Sequence, residues 1–327
     1  MAQPFRLPRV SEKLRGVPRV ERWAPPDFSN LGSLAAALEK AHPDTAPVAP
    51  LRMLGEGFFS VAVATASGAV FRLGTSPDVL ARYEKEWRLL PWLGQQELPT
   101  PIPEPRWLVE ASDVFPFGGI GYLMLPGRSF VPDLLERGER STLAREIAAF
   151  NLAMHQLPVE EARAIGLSAG REVDRAWDEA YRDASLVALR PVLDSQDYAR
   201  LIGWWDRSLA DPRMSQFEAV VVHGDIGAGN LLVDERSHLI GVLDFEHATV
   251  GDVMHDFRQL RFLGEGFLDE VLSAYSELGG RLDLGIAYRM ERARQLSAFG
   301  SILRAWGRGE RTAIIEAPAR LREVGVL

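Results

Sequence analysis

Asp225, Asn230 and Asp244 each flank a short run of apolar residues between positions 219 and 243. Short β-branched runs bounded by turn residues indicate strands, so the three side chains are expected at the ends of buried strands. A carboxylate in such a place can take the proton of an attacking hydroxyl, and the oxygens of an Asn and a second Asp suit Mg²⁺. Together these groups fit phosphoryl transfer.

The spacing of these residues narrows the interpretation. The segment from His223 to Asn230 reads His-Gly-Asp-x-x-x-x-Asn, and Asp244 opens an Asp-Phe-Glu triplet that ends at Glu246. Asp-x-x-x-x-Asn matches the catalytic loop of protein kinases, and the triplet stands where those enzymes have Asp-Phe-Gly. The two groups together resemble the aminoglycoside phosphotransferase and choline kinase-like superfamily of small-molecule kinases. The competing interpretation is a polar turn between strands, in which Asp and Asn are also common.

The resemblance implies a role for each of five residues. Asp225 is the expected catalytic residue, which acts as a base or orients the acceptor hydroxyl. Asn230 and Asp244 are the expected ligands of Mg²⁺. His223 is expected to support the loop structurally, and Asp256 matches the family's downstream Asp, which braces the catalytic loop from a helix. The resemblance leaves the role of the triplet's last residue open.

A glycine-containing loop precedes these groups by about 170 residues. Gly55, Gly57 and Ser60 form a Gly-x-Gly-x-x-Ser pattern, followed by strand-like runs at 61–65 and 69–73. Ahead of an Asp-x-x-x-x-Asn loop, this pattern predicts a flap whose backbone N–H groups donate to nucleotide phosphates. Ser60 stands where the kinase pattern has its third glycine, which reduces the freedom of the backbone there.

Arg72 lies on the second of these strands, at the position where protein kinases carry a phosphate-binding Lys. Its fork of donors suits phosphate and carboxylate oxygens. In the next segment, Glu86 falls in the middle of an apolar stripe with helical spacing between residues 79 and 93. A carboxylate on an apolar face is costly unless it is paired. We therefore expect Arg72 and Glu86 to form an ion pair that helps to bind the nucleotide.

The expected hinge between two lobes is the segment Leu123, Met124 and Leu125, which is followed by Pro-Gly. Its backbone would meet the purine edge, and main-chain contacts of this kind do not distinguish ATP from GTP. The proline-rich segment 98–105 is predicted to be extended.

The sequence predicts an α+β, protein-kinase-like bilobal fold. The expected parts are an N-terminal arm at 1–50, a nucleotide-binding N-lobe with an antiparallel sheet at 51–125, and a mainly helical, catalytic and acceptor-binding C-lobe at 126–327. Proline and charge favour an extended arm over 1–26, followed by a helix at 33–41, and we assign it no chemistry. The helices expected in the C-lobe are 141–157, 171–184, 195–210, 267–278, 282–306 and 310–324.

Several polar residues of the C-lobe are ambiguous. His155 is expected to be structural, and the arginine-rich stretch 289–311 is interpreted as a solvated face. Four acidic residues are candidate contacts with the acceptor, although each also suits a solvated helix face: Asp178, Glu179, Asp194 and Asp197.

Composition excludes other classes of protein. The chain has 327 residues, no cysteine and a net charge of −8, so thiolate metal sites are excluded and nucleic-acid binding is disfavoured. No apolar run approaches the roughly 20 residues of a membrane helix, and we expect a cytoplasmic protein without a membrane partner. The oligomeric state stays open.

The expected activity is ATP- or GTP-dependent transfer of a phosphoryl group to a hydroxyl of a small molecule. An antibiotic of the aminoglycoside or macrolide type is the first choice. Two alternatives remain: a metabolic kinase acting on an amino alcohol, a sugar or homoserine, and a nucleotide-binding pseudokinase. Ser60 and Arg72 are the departures from the kinase pattern that keep the pseudokinase open.

Overall fold

The structure is a computed structural model, and it describes residues 28–57, 59–77, 79–132, 137–167 and 171–327. The described residues form two compact units. The sheet unit comprises residues 28–167 and 219–281, and the helical unit comprises residues 171–218 and 282–327. The arm expected at 1–26 lies outside the described residues, and the lobe boundary at residue 125 stays a prediction.

The strands and helices occur in groups along the chain. In chain order the strands are β1 (Arg52–Glu56), β2 (Ser60–Ala64), β3 (Ala69–Gly74), β4 (Pro105–Val109), β5 (Gly119–Leu123), β6 (Arg128–Ser129), β7 (Val220–Val222), β8 (Leu231–Val233), β9 (Leu239–Val242) and β10 (Thr249–Gly251). The helices are α1 (Leu31–Ala41), α2 (Val79–Leu93), α3 (Arg137–His155), α4 (Val159–Ala164), α5 (Arg171–Leu189), α6 (Ser195–Ala210), α7 (Met254–Phe257), α8 (Phe267–Glu277), α9 (Ile286–Gly307) and α10 (Arg311–Glu323).

Five strands form one antiparallel sheet in the order β1-β2-β3-β5-β4. Successive side chains of a strand point to opposite faces, and β3 is an example of this alternation. Phe71 and Leu73 are fully buried in the core beneath α1, together with Leu38 of that helix. Arg72 lies between them in sequence and therefore points to the opposite face, where α2 packs.

The remaining strands of the sheet unit are short and carry loops rather than a large sheet. β7 pairs with β10, and β8 lies between β6 and β9. α3 and α8 pack closely on each other, and α3 also packs on β7. β7 and β9, which precede Asp225 and Asp244 in sequence, therefore belong to the same unit as Arg72.

The helical unit has its own core, which is built on α5, α6, α9 and α10. Trp204 and Trp205 of α6 pack against Phe299 of α9, with ring centroids 5.3 and 5.0 Å away. All three side chains are buried. Among the described residues, no helix combines the length and the apolar character needed to cross a membrane.

One expectation about the helical unit is wrong. Arg289 opens the stretch that was interpreted as a solvated face, but its side chain is 1% exposed. Its guanidinium donates to both oxygens of Asp283, at 2.9 and 2.6 Å, and to the backbone carbonyl of Arg213 at 3.1 Å. A buried arginine is tolerated here because these acceptors satisfy its donors.

Candidate functional site

The pairing of β8 with β9 brings two of the expected oxygen-bearing side chains together. In the register of these antiparallel strands Leu231 faces Val242, and the N–H of Leu243 donates to the carbonyl of Asn230 at 2.8 Å. Asn230 therefore lies opposite the residue that precedes Asp244. Asp244 has φ +66°, a left-handed conformation that is uncommon outside glycine and is found more often at functional sites.

Asp225 lies next to Asn230, and two side-chain amides bind its carboxylate. Asn230 Nδ2 donates to Asp225 Oδ2 at 3.1 Å and to the Asp225 carbonyl at 2.9 Å, and Gln259 Nε2 donates to Asp225 Oδ1 at 3.2 Å. An ionised carboxylate only accepts hydrogen bonds, so both amides must present nitrogen to it. Asn230 Oδ1 thus remains as an acceptor for another partner.

His223 and Asp256 support the backbone of this loop. Asp256 is fully buried and accepts from the N–H of His223 at 3.1 Å and from the N–H of Gly224 at 2.5 Å. His155 Nε2 lies 3.0 Å from the same carboxylate, and its Nδ1 lies 2.8 Å from the hydroxyl of Tyr275. His155 therefore occupies a buried hydrogen-bond network, as expected of a structural histidine.

The ring of His223 has a defined tautomer. Its Nδ1 lies 3.3 Å from the N–H of Asp225 and its Nε2 lies 2.9 Å from the carbonyl of Leu243. Nδ1 must accept and Nε2 must donate, which requires the neutral ring. Burial lowers the pKa of His223, which favours the same neutral form.

Arg72 bridges three carboxylates within the sheet unit. Its Nη1 donates to Glu86 at 2.8 and 3.0 Å, and its Nη2 donates to Asp244 Oδ1 at 2.9 Å and to Glu246 Oε2 at 3.0 Å. The pairing of Arg72 with Glu86 that we expected is present. Burial acts to lower the pKa of Arg72, but Glu86 and Asp244 hold that pKa well above its ordinary value. The guanidinium is therefore charged at any working pH.

Sequence reasoning missed the cations that surround Glu246. Arg82 Nη1 lies 3.4 Å from Glu246 Oε1, and the same guanidinium stacks on the ring of Phe59, 4.1 Å from its centroid. Lys85 Nζ donates to the carbonyls of Glu246 and Ala248 at 2.5 and 2.9 Å. The apolar stripe of α2 indicates that Glu86 is buried. It does not indicate that Lys85 binds backbone carbonyls.

The cluster around Arg72 also brings several carboxylate oxygens close together. Ligand oxygens of Glu86, Asp244 and Glu246 all lie within 4.8 Å of one another. Arg72, Arg82 and Lys85 lie against these three carboxylates and offset their charge. Asp244 also keeps its side chain 31% exposed. The carboxylate of Asp244 and the free Oδ1 of Asn230 are hard oxygen donors of the kind that Mg²⁺ prefers, so the residues present fit that ion.

The expected nucleotide loop is the connection between β1 and β2. The N–H of Gly57 donates to the carbonyl of Ser60 at 2.7 Å, which closes the loop. A Cβ placed on Gly57 would lie 3.3 Å from that carbonyl oxygen, whereas one placed on Gly55 would meet no described atom within 4 Å. The contacts within the chain therefore do not require glycine at position 55.

The expected hinge follows β5. The side chains of Leu123 and Met124 are 43% and 46% exposed, and Leu125 is half-buried. The N–H of Met124 donates to the carbonyl of Gly68 at 2.9 Å, so this donor is already used within the chain. Leu123 faces Ala69 in the pairing of β5 with β3, the strand that also carries Arg72.

The carboxylates considered as acceptor contacts in the helical unit are mostly engaged. Asp194 caps α6 by accepting from the N–H of Asp197 at 2.8 Å. Asp197 is buried and pairs with Arg200 and Arg322. Glu179 pairs with Arg175 at 3.0 Å on an exposed helix face, and Asp178 also makes an interaction within the chain. These pairs explain the acidic residues without a ligand.

Comparison with solved structures agrees with this architecture. A complex of the aminoglycoside phosphotransferase APH(2″)-IIIa with GDP and kanamycin superimposes with a TM-score of 0.77 at 22% identity, over 89% of this chain and 98% of that one. The macrolide 2′-phosphotransferase MphH from Brachybacterium faecium gives a TM-score of 0.63 at 25% identity, over 86% and 97% of the two chains. A type I macrolide 2′-phosphotransferase gives 0.66 at 23% identity, over 91% and 99%. The expected kinase-like α+β fold is confirmed.

No curated protein sequence matches this chain significantly. The model of the phosphotransferase enzyme family, by contrast, matches residues 55–312. This range includes the glycine-containing loop, Arg72 and the whole segment from Asp225 to Asp256. The chain therefore belongs to the phosphotransferase enzyme family.

Proposed function

We propose that this phosphotransferase moves the γ-phosphoryl group of ATP or GTP to a hydroxyl of a small molecule. One observation carries the proposal: Asn230 holds the carboxylate of Asp225 and lies beside Asp244, which Arg72 contacts at 2.9 Å. The proton acceptor thus contacts one proposed metal ligand, the phosphate-binding cation contacts the other, and the pairing of β8 with β9 brings the two ligands to neighbouring strand ends. These are the parts that phosphoryl transfer needs, because its catalysis consists of positioning and charge stabilisation.

Asp225 is the proposed catalytic residue. Its carboxylate is half-buried and held on both oxygens, so it can orient the acceptor hydroxyl and take its proton as the new P–O bond forms. Asp256 and His223 hold the backbone on which Asp225 is carried. They position the catalytic loop without contacting the substrate.

Asn230 and Asp244 are the proposed ligands of Mg²⁺. When bound, the ion neutralises charge on the nucleotide phosphates. Arg72 contacts Asp244 in the structure and can also donate to phosphate oxygens, and Glu86 fixes the other side of its guanidinium.

The nucleotide is proposed to lie beneath the β1–β2 connection and against the end of β5. Gly55 has open space around its missing Cβ, which suits the close approach of a phosphate to the backbone. The exposed side chains of Leu123 and Met124 offer an apolar surface to a purine, next to Leu125. Gly57 and Ser60 close the loop that donates to the phosphates.

An antibiotic of the aminoglycoside or macrolide type is the proposed acceptor, because the similar solved structures are enzymes of these two kinds. An aminoglycoside is a polycation and needs free carboxylates. Three of the four carboxylates considered for this purpose in the helical unit already serve a cap or an arginine. We therefore test both classes of antibiotic. Phosphorylation of a macrolide would identify the acceptor as a macrolide, and phosphorylation of aminoglycosides alone would identify it as an aminoglycoside.

The experiment is a transfer assay with the purified full chain. Radiolabelled ATP or GTP with Mg²⁺ is incubated with aminoglycosides, macrolides, choline, sugars and homoserine, and phosphorylated products are identified by mass spectrometry. Mg²⁺-dependent phosphorylation of an antibiotic hydroxyl supports the proposal. Transfer to a metabolite alone would identify a metabolic kinase, and nucleotide binding without transfer to any acceptor would identify a pseudokinase.

A further inference from the structure

Gln259 contacts the proposed catalytic carboxylate from a segment that no motif identifies. Its Nε2 donates to Asp225 Oδ1 at 3.2 Å, and the two residues are 34 positions apart in sequence. The other oxygen, Oδ2, accepts from Asn230 at 3.1 Å. The carboxylate is therefore held between two neutral amides, of which only Asn230 belongs to the Asp-x-x-x-x-Asn pattern.

The contact belongs to an ordered series that runs along the segment after β10. Asp256 accepts from the N–H groups of His223 and Gly224, and Arg258 Nη2 donates to the carbonyl of Gly224 at 3.1 Å. Gln259 then reaches Asp225. Three residues of one short segment thus contact three successive residues of the catalytic loop.

The stem of Gln259 lies close to the catalytic loop. A Cβ built on Gly227 would lie 3.6 Å from Gln259 Cβ, an ordinary van der Waals separation, so the two backbones approach closely. Gln259 is half-buried, so its side chain has less freedom to lose than an exposed glutamine when its amide binds Asp225. The hydrogen bond to Asp225 uses only groups of the chain itself.

We infer that Gln259 is a positioning residue for phosphoryl transfer, which orients the carboxylate of Asp225 toward the acceptor hydroxyl. This inference rests on the proposed function of Asp225. Without Gln259 the carboxylate would be held on one oxygen only and could rotate about its Cβ–Cγ bond. The loss would act on the chemical step, because Gln259 contacts none of the groups proposed to bind the nucleotide.

Two variants separate the donor from the bulk of the side chain. Gln259→Glu keeps the shape but cannot donate when ionised, and Gln259→Met keeps the length without a polar head. If Gln259 only packed against Gly227, Gln259→Met would be tolerated, whereas Gln259→Glu would add a negative charge beside Asp225. If its donor orients Asp225, both should lower kcat by about 10- to 100-fold and leave KM for the nucleotide within about twofold, since one hydrogen bond to a charged group is lost. Gln95→Met, at an exposed position of the sheet unit, is the matched control and should retain wild-type rates.

The outcomes separate this inference from the proposed function. Transfer by wild type together with kcat in both variants within threefold of wild type would overturn the role of Gln259 and leave the function intact. If wild type phosphorylates nothing, crystal structures of wild type and Gln259→Met decide the inference on their own. A rotated or disordered Asp225 carboxylate in the variant supports it, and an unchanged carboxylate overturns it.

Discussion

Arg72 donates to Asp244 at 2.9 Å, so a cation on β3 neutralises the carboxylate that we propose as a metal ligand. The same guanidinium binds Glu86 on α2 at 2.8 Å. One side chain thus joins residues from three parts of the chain, and 172 positions separate Arg72 from Asp244. Binding of a metal and a nucleotide must redistribute these contacts, since a phosphate would compete with Asp244 for the guanidinium.

The first prediction concerns the pair of Arg72 and Glu86. Arg72→Met and Glu86→Gln should each weaken nucleotide binding, but the double variant should lose less than the sum, with a coupling of about 0.5–3 kcal/mol. The exposed pair of Arg175 and Glu179 serves as the control and should show a coupling of about 0.3–0.5 kcal/mol, measured on stability. Additive effects of the two buried substitutions on nucleotide affinity would show that they act independently.

The second prediction concerns the chemical step. Asp225→Ala should lower kcat by about 10²- to 10⁴-fold, because general-base assistance is removed, and should leave nucleotide affinity nearly unchanged. Steady-state rates and nucleotide titrations measure the two quantities separately. Asp206→Ala, at an exposed position of α6, should behave as wild type. A fully active Asp225→Ala variant would refute the role of this carboxylate.

The third prediction concerns Lys85. Burial lowers the pKa of its amine from 10.5 to about 8, although Glu86 opposes the shift. The chain contains only Lys13, Lys40 and Lys85, so ¹³C-lysine NMR gives few signals to assign. One signal should titrate near pH 8 and should be absent from Lys85→Met. Between about pH 8 and 10.5 the folded chain binds fewer protons at Lys85 than the unfolded chain, so the contribution of Lys85 to stability rises with pH in that window.

The fourth prediction concerns Asp256. Burial acts to raise the pKa of this carboxyl, but the hydrogen bonds from His155 and Gly224 hold that pKa below its ordinary 3.8. Asp256→Asn should lower the free energy of unfolding at pH 7 by about 1.5–3 kcal/mol, because an ionised acceptor is lost. A depressed folded pKa contributes stability above pH 3.8 and loses it as the pH falls through the folded value. The difference between variant and wild type in denaturant titrations should therefore shrink in acid.

The fifth prediction compares two glycines with the same backbone conformation. Gly224 has φ +84°, and a Cβ there would lie 2.5 Å from the carbonyl oxygen of His247. Gly68 has φ +87° and would meet no described atom within 4 Å. Gly68→Ala should cost about 1 kcal/mol from the positive φ alone. Gly224→Ala should cost more in thermal unfolding and should also lower turnover; equal costs would show that the approach of His247 is not a constraint.

Much of the site could be predicted because its residues occur in local patterns. The strand ends that carry Asp225, Asn230 and Asp244 were visible as apolar runs bounded by polar turns. Glu86 was identified because a carboxylate interrupted a helical stripe, and its cost of burial pointed to Arg72. In these cases the apolar residues that flank a polar residue in sequence indicate that the polar residue is at least partly buried.

Other contacts left no local signal. Lys85 binds backbone carbonyls more than 160 positions away, and any residue type can supply such an acceptor. Gln259 looks like an ordinary polar residue after a short helix, and only the tertiary structure places it on Asp225. The sequence predicts that Arg289 is solvated, because arginines are mostly exposed. In the structure it is buried, and Asp283 and a backbone carbonyl accept hydrogen bonds from its guanidinium. Partners of this kind are set by the fold and not by sequence spacing.

Arg82 stacks on Phe59 and also reaches Glu246. Phe59 belongs to the connection between β1 and β2, and Glu246 follows the end of β9 by a few residues. The stretch proposed to cover the nucleotide and the stretch proposed to carry the ion thus share one guanidinium. A compound that wedges between the phenyl ring and this guanidinium would disturb both stretches at once, and it could inhibit the enzyme without resembling either substrate.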